Sequence, residues 1–181
     1  MVTAEELSVG LPHVLAAPAD GGTLELIVRR PATDEREVLD EGELDLAAGL
    51  VGDSWSRRGR HPNPKAQVTV MSSRAAALVA GDRERWPLAG DQLYVDLDLS
   101  TANLPPGTRL SIGSAVVEVT DLPHRGCEKF TARYGAEARA FVNSPEGLAL
   151  NLRGVNARVV VASTVRTGDA VRKLGRLEPR P

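Results

Sequence analysis

Short runs in which apolar and polar residues alternate set the strongest limit on how this 181-residue chain can fold. The clearest run has an apolar residue at every second position: Leu93, Val95, Leu97 and Leu99, separated by Tyr94, Asp96, Asp98 and Ser100. A period of two places one face of a strand on a core and the other face in water. Similar runs lie at 24–28, 67–70, 109–112, 115–121, 158–161 and 170–174. The pattern is typical of antiparallel sheets.

Glycine and proline mark the turns between these runs. Gly113-Ser114 predicts a two-residue hairpin, and Pro105-Pro106-Gly107 predicts a turn before it. Thr167-Gly168-Asp169 separates the last two predicted strands. Many short strands joined in this way favour a barrel or a sandwich. We therefore predict a mainly β protein, barrel-like, with short helices.

Three segments have helical character instead. Ser72-Ser73 can cap a helix that runs through Ala80, and Ser144-Pro145-Glu146 has the pattern of a helix start. Four residues recur at helical spacing, with Gly135 expected to divide them into two helices: Phe130, Tyr134, Ala138 and Phe141. We assign residues 1–22 to an N-terminal extension, 23–174 to the barrel-like domain and 175–181 to a C-terminal tail.

Composition excludes several classes of protein. The chain has 22 basic and 24 acidic residues, which argues against a nucleic-acid binder that relies on an overall positive field. Its single cysteine excludes an internal disulfide and a multi-cysteine metal cluster. No apolar run approaches the roughly 20 residues that cross a membrane. Because Glu5 and Glu6 stand where a secretory signal would carry bases, we expect a cytoplasmic protein.

The cysteine lies in the chemically richest stretch, Pro123 to Phe130. We predict Cys127 on a loop between a strand and a helix, where backbone N–H groups and the helix dipole favour a thiolate. Three neighbours add possible positive charge: His124, Arg125 and Lys129. The alternative is that a lone cysteine is simply a small buried hydrophobic residue. The three histidines and Cys127 do not have the spacing of a zinc site.

Several further motifs follow one another in a defined order. They are Gly49-Leu50-Val51-Gly52-Asp53, His61-Pro62-Asn63-Pro64-Lys65-Ala66-Gln67-Val68, Gly90-Asp91-Gln92-Leu93, Pro106-Gly107-Thr108-Arg109-Leu110-Ser111-Ile112-Gly113 and finally Cys127. In this order they resemble the MOSC domain, the C-terminal module of molybdenum cofactor sulfurases, which also occurs as a stand-alone bacterial protein. The resemblance extends from Thr23 to Leu174. It departs from the family pattern at Pro62-Asn63, which replace a double glycine, and at Gly126, where proline is common.

The resemblance implies a strand-rich barrel and a role in molybdenum or sulfur chemistry. Cys127 would be the catalytic residue, either carrying sulfur as a persulfide or ligating molybdenum in a bound pterin cofactor, molybdopterin. A soft thiolate suits both roles. The residues expected to bind the cofactor are His61, Lys65, His124, Arg125 and Arg153. For Arg153 a surface or salt-bridged arginine is an equal alternative.

Different functions remain open at this point. A sulfur carrier would need a partner such as a cysteine desulfurase. A molybdenum-dependent reductase of N-hydroxylated compounds would need an electron-transfer protein, because the chain has no flavin motif and no iron–sulfur cysteines. A non-catalytic binding module that retains the barrel is the third hypothesis. Pyridoxal phosphate enters only through the family's association with desulfurase domains.

Overall fold

The computed structural model describes residues 1–176, which form eleven strands, five α-helices and three short 3-10 helices. The strands are β1 Gly22–Arg29, β2 Glu37–Leu39, β3 Glu41–Asp45, β4 Gly49–Leu50, β5 Val68–Ser72, β6 Leu93–Asp96, β7 Thr108–Ile112, β8 Ala115–Val119, β9 Val155–Val161, β10 Ser163–Arg166 and β11 Ala170–Arg176. The α-helices are α1 Ala4–Leu15, α2 Ser73–Ala80, α3 Glu128–Tyr134, α4 Ala136–Val142 and α5 Pro145–Ala149. The 3-10 helices are Trp55–Arg57, Pro64–Ala66 and Arg83–Ala89.

Seven of the strands close into a barrel. Their order is β11-β7-β8-β9-β5-β6-β1, and β1 pairs with β11 to complete the ring. β2 lies outside the ring on β1, while β10, β3 and β4 form a small separate sheet. This architecture confirms the prediction of a mainly β, barrel-like protein with short helices. The predicted hairpin at Gly113-Ser114 and the division of two helices at Gly135 are also present.

The prediction of antiparallel pairing is wrong for one pair of strands. β5 and β6 are parallel, and the crossover between them contains α2 and the 3-10 helix Arg83–Ala89. A parallel pair requires such a long connection, since the chain has to return to the same end of the sheet. This crossover covers the outside of the barrel, so Tyr94, expected to face water, is fully buried.

A second difference concerns the last strands. The sequence pattern predicts two strands after residue 157, whereas β10 is a third strand that lies between them and pairs with β3. Its sequence, Ser163 to Arg166, is short and polar, and it offers little periodicity to detect. β11 extends through Gly175 and Arg176, which had been assigned to the tail. Residues 177–181 lie outside the described residues.

Two apolar clusters form the core. The first fills the barrel with aliphatic side chains such as Leu24, Leu93 and Val117. The second lies between the barrel wall and the helices, and it contains most of the buried aromatic residues, among them Phe130 and Tyr134. Helix α1 contributes Leu7 to this second cluster and packs against α2 and α4. The N-terminal extension is therefore packed on the barrel. None of the helices within residues 1–176 combines the length and apolarity needed to span a membrane.

The position of α1 in the second core yields a test. Leu7 is 0% exposed and Val9, on the same helix, is 75% exposed. We expect Leu7→Ala to lower the free energy of unfolding by about 2–5 kcal/mol, because it leaves a cavity in a packed core. Val9→Ala should change it by less than about 0.5 kcal/mol. Urea unfolding of both variants measures this, and equal stabilities would show that α1 does not belong to the folded core.

Candidate functional site

A cleft of about 710 Å³ opens beside the N-terminus of α3, and basic residues dominate its walls. Seven cationic side chains line it: Arg30, Arg36, Arg57, Arg58, Lys129, Arg133 and Arg153. Among the lining residues that belong to the described part of the chain, Asp34 supplies the only carboxylate. Cys127, His124 and Phe130 complete the part of the wall nearest α3. The chain as a whole is nearly neutral, so this cleft concentrates positive charge in one place.

Arg30 is fixed by a buried carboxylate. Asp53 accepts hydrogen bonds from Arg30 Nε at 2.9 Å and from an Arg30 terminal nitrogen at 2.8 Å. Asp53 also accepts from the backbone N–H groups of Arg30 and Trp55. Burial alone would raise the pKa of Asp53, but the bonds and charge of Arg30 outweigh it and hold that pKa below its ordinary value. The Gly-Asp motif thus acts as an anchor for Arg30.

Arg153 is fixed in the same manner by a second buried carboxylate. One of its terminal nitrogens binds Asp91, which is 0% exposed, and the other donates to the Ala89 carbonyl at 2.8 Å. Its guanidinium lies over the ring of Phe130, 5.2 Å from the centroid. The guanidinium is held in one orientation, because its terminal N–H groups donate hydrogen bonds and its plane lies over an aromatic ring. The next residue, Gly154, packs so closely on β5 that a Cβ there would lie 2.4 Å from the Val70 carbonyl oxygen.

One loop, Ala89–Gln92, serves both arginines. Arg30 donates to the Gly90 carbonyl at 2.6 Å, one residue beyond the carbonyl that Arg153 uses. Gly90 has φ 87°, a left-handed conformation that favours glycine. Gln92 accepts from the Thr69 N–H at 2.8 Å, which ties the loop to β5. The Gly-Asp-Gln motif therefore positions Arg30 and Arg153: Gly90 lines the cleft, whereas Asp91 and Gln92 lie buried behind its wall.

Cys127 is exposed and is the N-cap residue of α3. Its side chain makes no capping hydrogen bond. Partial burial would raise the pKa of its thiol, whereas the backbone N–H groups of Phe130 and Lys129, followed by the charge of Arg153, lower it. The net direction is below the ordinary value, so the thiolate fraction at a given pH is larger than that of a free thiol. The alternative interpretation, a buried hydrophobic cysteine, does not agree with this exposure.

His124 does not supply the positive charge that the sequence analysis expected of it. Burial, with the charge of Arg153 as the second cause, lowers its pKa to about 3, and Asp91 only partly opposes this. The imidazole is therefore neutral at pH 7. Its Nδ1 lies 3.4 Å from Asp91 Oδ1, and both atoms lack a hydrogen-bond partner within the described part of the chain. The positive charge that lowers the pKa of Cys127 comes from Arg153 instead of His124.

The six predicted site residues divide into two groups. Cys127, His124 and Arg153 line the cleft. His61 is exposed on a loop, and Lys65 forms an ion pair of 2.8 Å with Asp121 beside a different surface depression. Arg125 is exposed and lines another cavity, together with His124. Of the other five predicted residues, only His124 and Arg153 therefore line the same cleft as Cys127.

Several cleft residues were not found by sequence reasoning. Arg30 and Arg36 lie between β1 and β2, and Arg57 and Arg58 follow the Gly-Asp motif. The sequence does contain one indication of Arg30: if Asp53 of the Gly-Asp motif is buried, it requires a cationic partner. No spacing rule marks Arg36, Arg57 or Arg58, because loops bring them together. Within residues 1–176, no group of three or more His, Cys, Asp or Glu residues is arranged to hold a metal ion.

Comparison with known proteins agrees with the fold described above. A family model described as the MOSC domain matches residues 53–172. No curated protein matches the chain significantly. The YuaD protein from Bacillus subtilis is 16% identical, with 83% of this chain and 93% of that chain covered and a TM-score of 0.57. YiiM from Escherichia coli is 17% identical over 87% of this chain and 72% of its own, with a TM-score of 0.58. At such identities these structures establish a shared fold.

The environment of Cys127 predicts its reactivity. Because its pKa lies below the ordinary value, the rate of alkylation by iodoacetamide should reach half its maximum below the free-thiol pKa of about 8.5. The same protein unfolded in urea is the control, and its midpoint should return to about 8.5. A folded midpoint at or above that of the unfolded chain would contradict the stabilised thiolate.

The Asp53 carboxylate should make stability depend on acid pH. Its pKa is depressed in the folded state, so its contribution is present above the unfolded value of about 3.9 and is lost as pH falls below it. At pH 7, Asp53→Asn should cost about 3–5 kcal/mol, because Arg30 remains buried without a counter-charge. This difference from the unmodified protein should shrink as pH falls below about 4. Urea unfolding at several pH values measures it, with Glu35→Gln as an exposed control; a loss independent of pH would refute the assignment.

Proposed function

Because this chain belongs to the MOSC domain family, a class of molybdenum cofactor-binding domains, we propose that its cationic cleft binds the molybdenum cofactor, with Cys127 as the protein's ligand to the metal. The observation that carries the proposal is the convergence of an exposed, deprotonation-prone thiol and a fixed arginine, Arg153, in one cleft. Either feature alone would be unremarkable on a protein surface. Together they offer a soft sulfur ligand and a rigid anion-binding group.

The residues present fit the chemistry of this group. The cofactor carries a phosphate, and the cleft offers seven cationic side chains against one carboxylate. Polar atoms of Asp91 and Arg153 are buried without hydrogen-bond partners in the described residues, which is expected where a ligand or ordered water completes a polar site. When bound, the cofactor supplies oxidation–reduction chemistry at molybdenum. The protein's own contribution is binding and orientation.

Each cleft residue near α3 has a distinct part in this proposal. Arg153 presents a fixed positive group, because Asp91 and the Ala89 carbonyl already hold its other side. The buried ring of Phe130 packs against that guanidinium and keeps water from one face of the guanidinium. Cys127 offers the thiolate. His124 is neutral and adds no charge to the site, but its ring nitrogens can donate a hydrogen bond to a ligand or accept one from it.

A sulfur relay is the second candidate, and the exposure of Cys127 favours it. In such a relay the Cys127 thiolate attacks the outer sulfur of a persulfide on a donor such as a cysteine desulfurase. The donor's sulfur–sulfur bond breaks, the donor leaves as a thiolate, and Cys127 carries the transferred sulfur as a persulfide. The reaction requires that the donor's sulfur reach Cys127, which only an exposed thiol permits.

Molybdenum content tests the main proposal. Protein expressed in a host that makes the cofactor, and purified without oxygen, should retain molybdenum and pterin. Cys127→Ser should retain at least about tenfold less metal, since loss of a soft ligand weakens the site. Arg166→Gln, at an exposed arginine paired with Glu41 outside the cleft, is the matched control. Equal metal in wild type and Cys127→Ser, or none in wild type, would overturn the proposal.

Intact mass spectrometry of the same samples tests the relay. Incubation with a cysteine desulfurase and cysteine should add the mass of one sulfur atom to the wild type, and a thiol reductant should remove it. Cys127→Ser should show no such addition. Unchanged mass in the wild type would exclude the relay while leaving the metal result to stand by itself.

A further inference from the structure

Three arginines of the cleft have no carboxylate partner within the described residues: Arg36, Arg57 and Arg58. Each is held instead by neutral acceptors. Arg36 Nε donates to the Pro87 carbonyl at 3.2 Å, and Arg57 donates to the Pro31 carbonyl at 2.6 Å. Arg58 donates to Ser54 Oγ at 3.1 Å. These contacts orient the guanidinium groups without neutralising them.

The other four cationic groups of the cleft are compensated. Arg30 pairs with Asp53, and Arg153 pairs with Asp91. Arg133 and Lys129 share Asp34, at 2.8 Å and 3.6 Å respectively. Within residues 1–176, Asp34 is the single carboxylate that lines the cleft, so the charge of the three arginines has no counter-ion there.

Two of the three arginines, Arg36 and Arg58, also experience repulsion from neighbouring positive charges. Burial, followed by the charges of Arg133 and Arg30, lowers the pKa of Arg36. Partial burial and the charge of Arg30 lower the pKa of Arg58. Like charges held together in this manner store unfavourable electrostatic energy in the free protein. An anion that binds among them relieves this repulsion, and it does so without having to reorganise the site.

We propose that Arg36, Arg57 and Arg58 form a second oxyanion subsite, which binds a phosphate group additional to the one held near Arg153 and Cys127. The proposal rests on the cleft being a ligand site, as in the proposed function, and it assigns the ligands there two phosphate groups in total. The subsite comes from the segment before β2 and from the 3-10 helix Trp55–Arg57 with its C-cap Arg58. The thiol end comes from α3 and its N-cap.

Phosphate is the anion that this arrangement suits. Guanidinium forks bind phosphate oxygens in pairs, and such charge-assisted bonds are roughly twice as strong as neutral ones. A phosphate ester carries two negative charges and several acceptor oxygens. It therefore suits three uncompensated guanidinium groups better than a carboxylate does. Two sources carry that chemistry: a nucleotide extension of the cofactor, or a separate phosphorylated substrate.

Calorimetric titration of the full chain with inorganic phosphate and with pyrophosphate tests the subsite, using protein freed of bound small molecules by dialysis. Pyrophosphate should bind at least about tenfold more tightly than phosphate, since it carries more charge and a second phosphoryl group. The double variant Arg57→Gln/Arg58→Gln should weaken pyrophosphate binding by at least about tenfold. Both side chains are exposed, so this variant should fold, and its circular dichroism and melting temperature verify that.

Arg158→Gln is the matched control, because Arg158 is a partly exposed arginine that pairs with Glu118 and lies outside the cleft. It should bind pyrophosphate as the wild type does. No measurable binding by the wild type, or equal weakening in the control and the double variant, would overturn the subsite. Either result could coexist with molybdenum lost on Cys127→Ser, so the failure of this inference and that of the proposed function are separately visible.

Acid extracts of the undialysed, molybdenum-containing protein identify the source of the phosphate. A nucleotide recovered in proportion to molybdenum would assign the subsite to the cofactor's own extension. Absence of a nucleotide, together with Arg57/Arg58-dependent pyrophosphate binding, would assign it to a separate phosphorylated substrate.

Discussion

Two buried ion pairs, Arg30–Asp53 and Arg153–Asp91, determine how the cleft is built. Isolated charges cannot be buried without a large loss of solvation free energy, so each carboxylate requires its arginine, and each arginine requires its carboxylate. Both aspartates are essentially inaccessible to water, at 1% and 0% exposure. The arginines are less enclosed because they also line the cleft. Burial of the acids thus fixes the orientation of the bases.

The parallel strand pair explains why both ion pairs meet at one place. After β5 the chain leaves the barrel, passes through α2 and the 3-10 helix Arg83–Ala89, and returns as β6 beside the strand it left. The return point is the loop that contains Gly90, whose left-handed conformation turns the chain into β6. At that turn the carbonyls of Ala89 and Gly90 are free of strand pairing and accept from Arg153 and Arg30. A hairpin in place of the crossover would offer no such loop.

Sequence patterns predicted the elements of this fold better than its charges. Alternation and turn residues located the barrel strands, and Gly135 correctly divided α3 from α4. Alternation failed for Tyr94, since a strand covered by a crossover is buried on both faces, which the strand's own sequence cannot reveal. Proximity in sequence failed for His124, whose charge state depends on burial beside Arg153, twenty-nine positions away in the chain. Electrostatic roles depend on three-dimensional distance. The local sequence was enough to predict Cys127 at the start of a helix, whereas Arg153 was predicted only through the family resemblance.

The electrostatics of the cleft separate anion binding from thiolate formation. The backbone N–H groups of Phe130 and Lys129 lower the pKa of Cys127 more than the charge of Arg153 does. Backbone donors keep their charge distribution when an anion binds, whereas a bound phosphate neutralises arginine charge. An anion in the cleft would therefore remove only the contribution of Arg153, which lowers the pKa of Cys127 less than the backbone N–H groups do. The pKa of Cys127 would thus stay lowered by the backbone N–H groups beside an occupied anion site, whereas a thiol that relied on arginine charge alone would lose the whole effect when the ligand arrived.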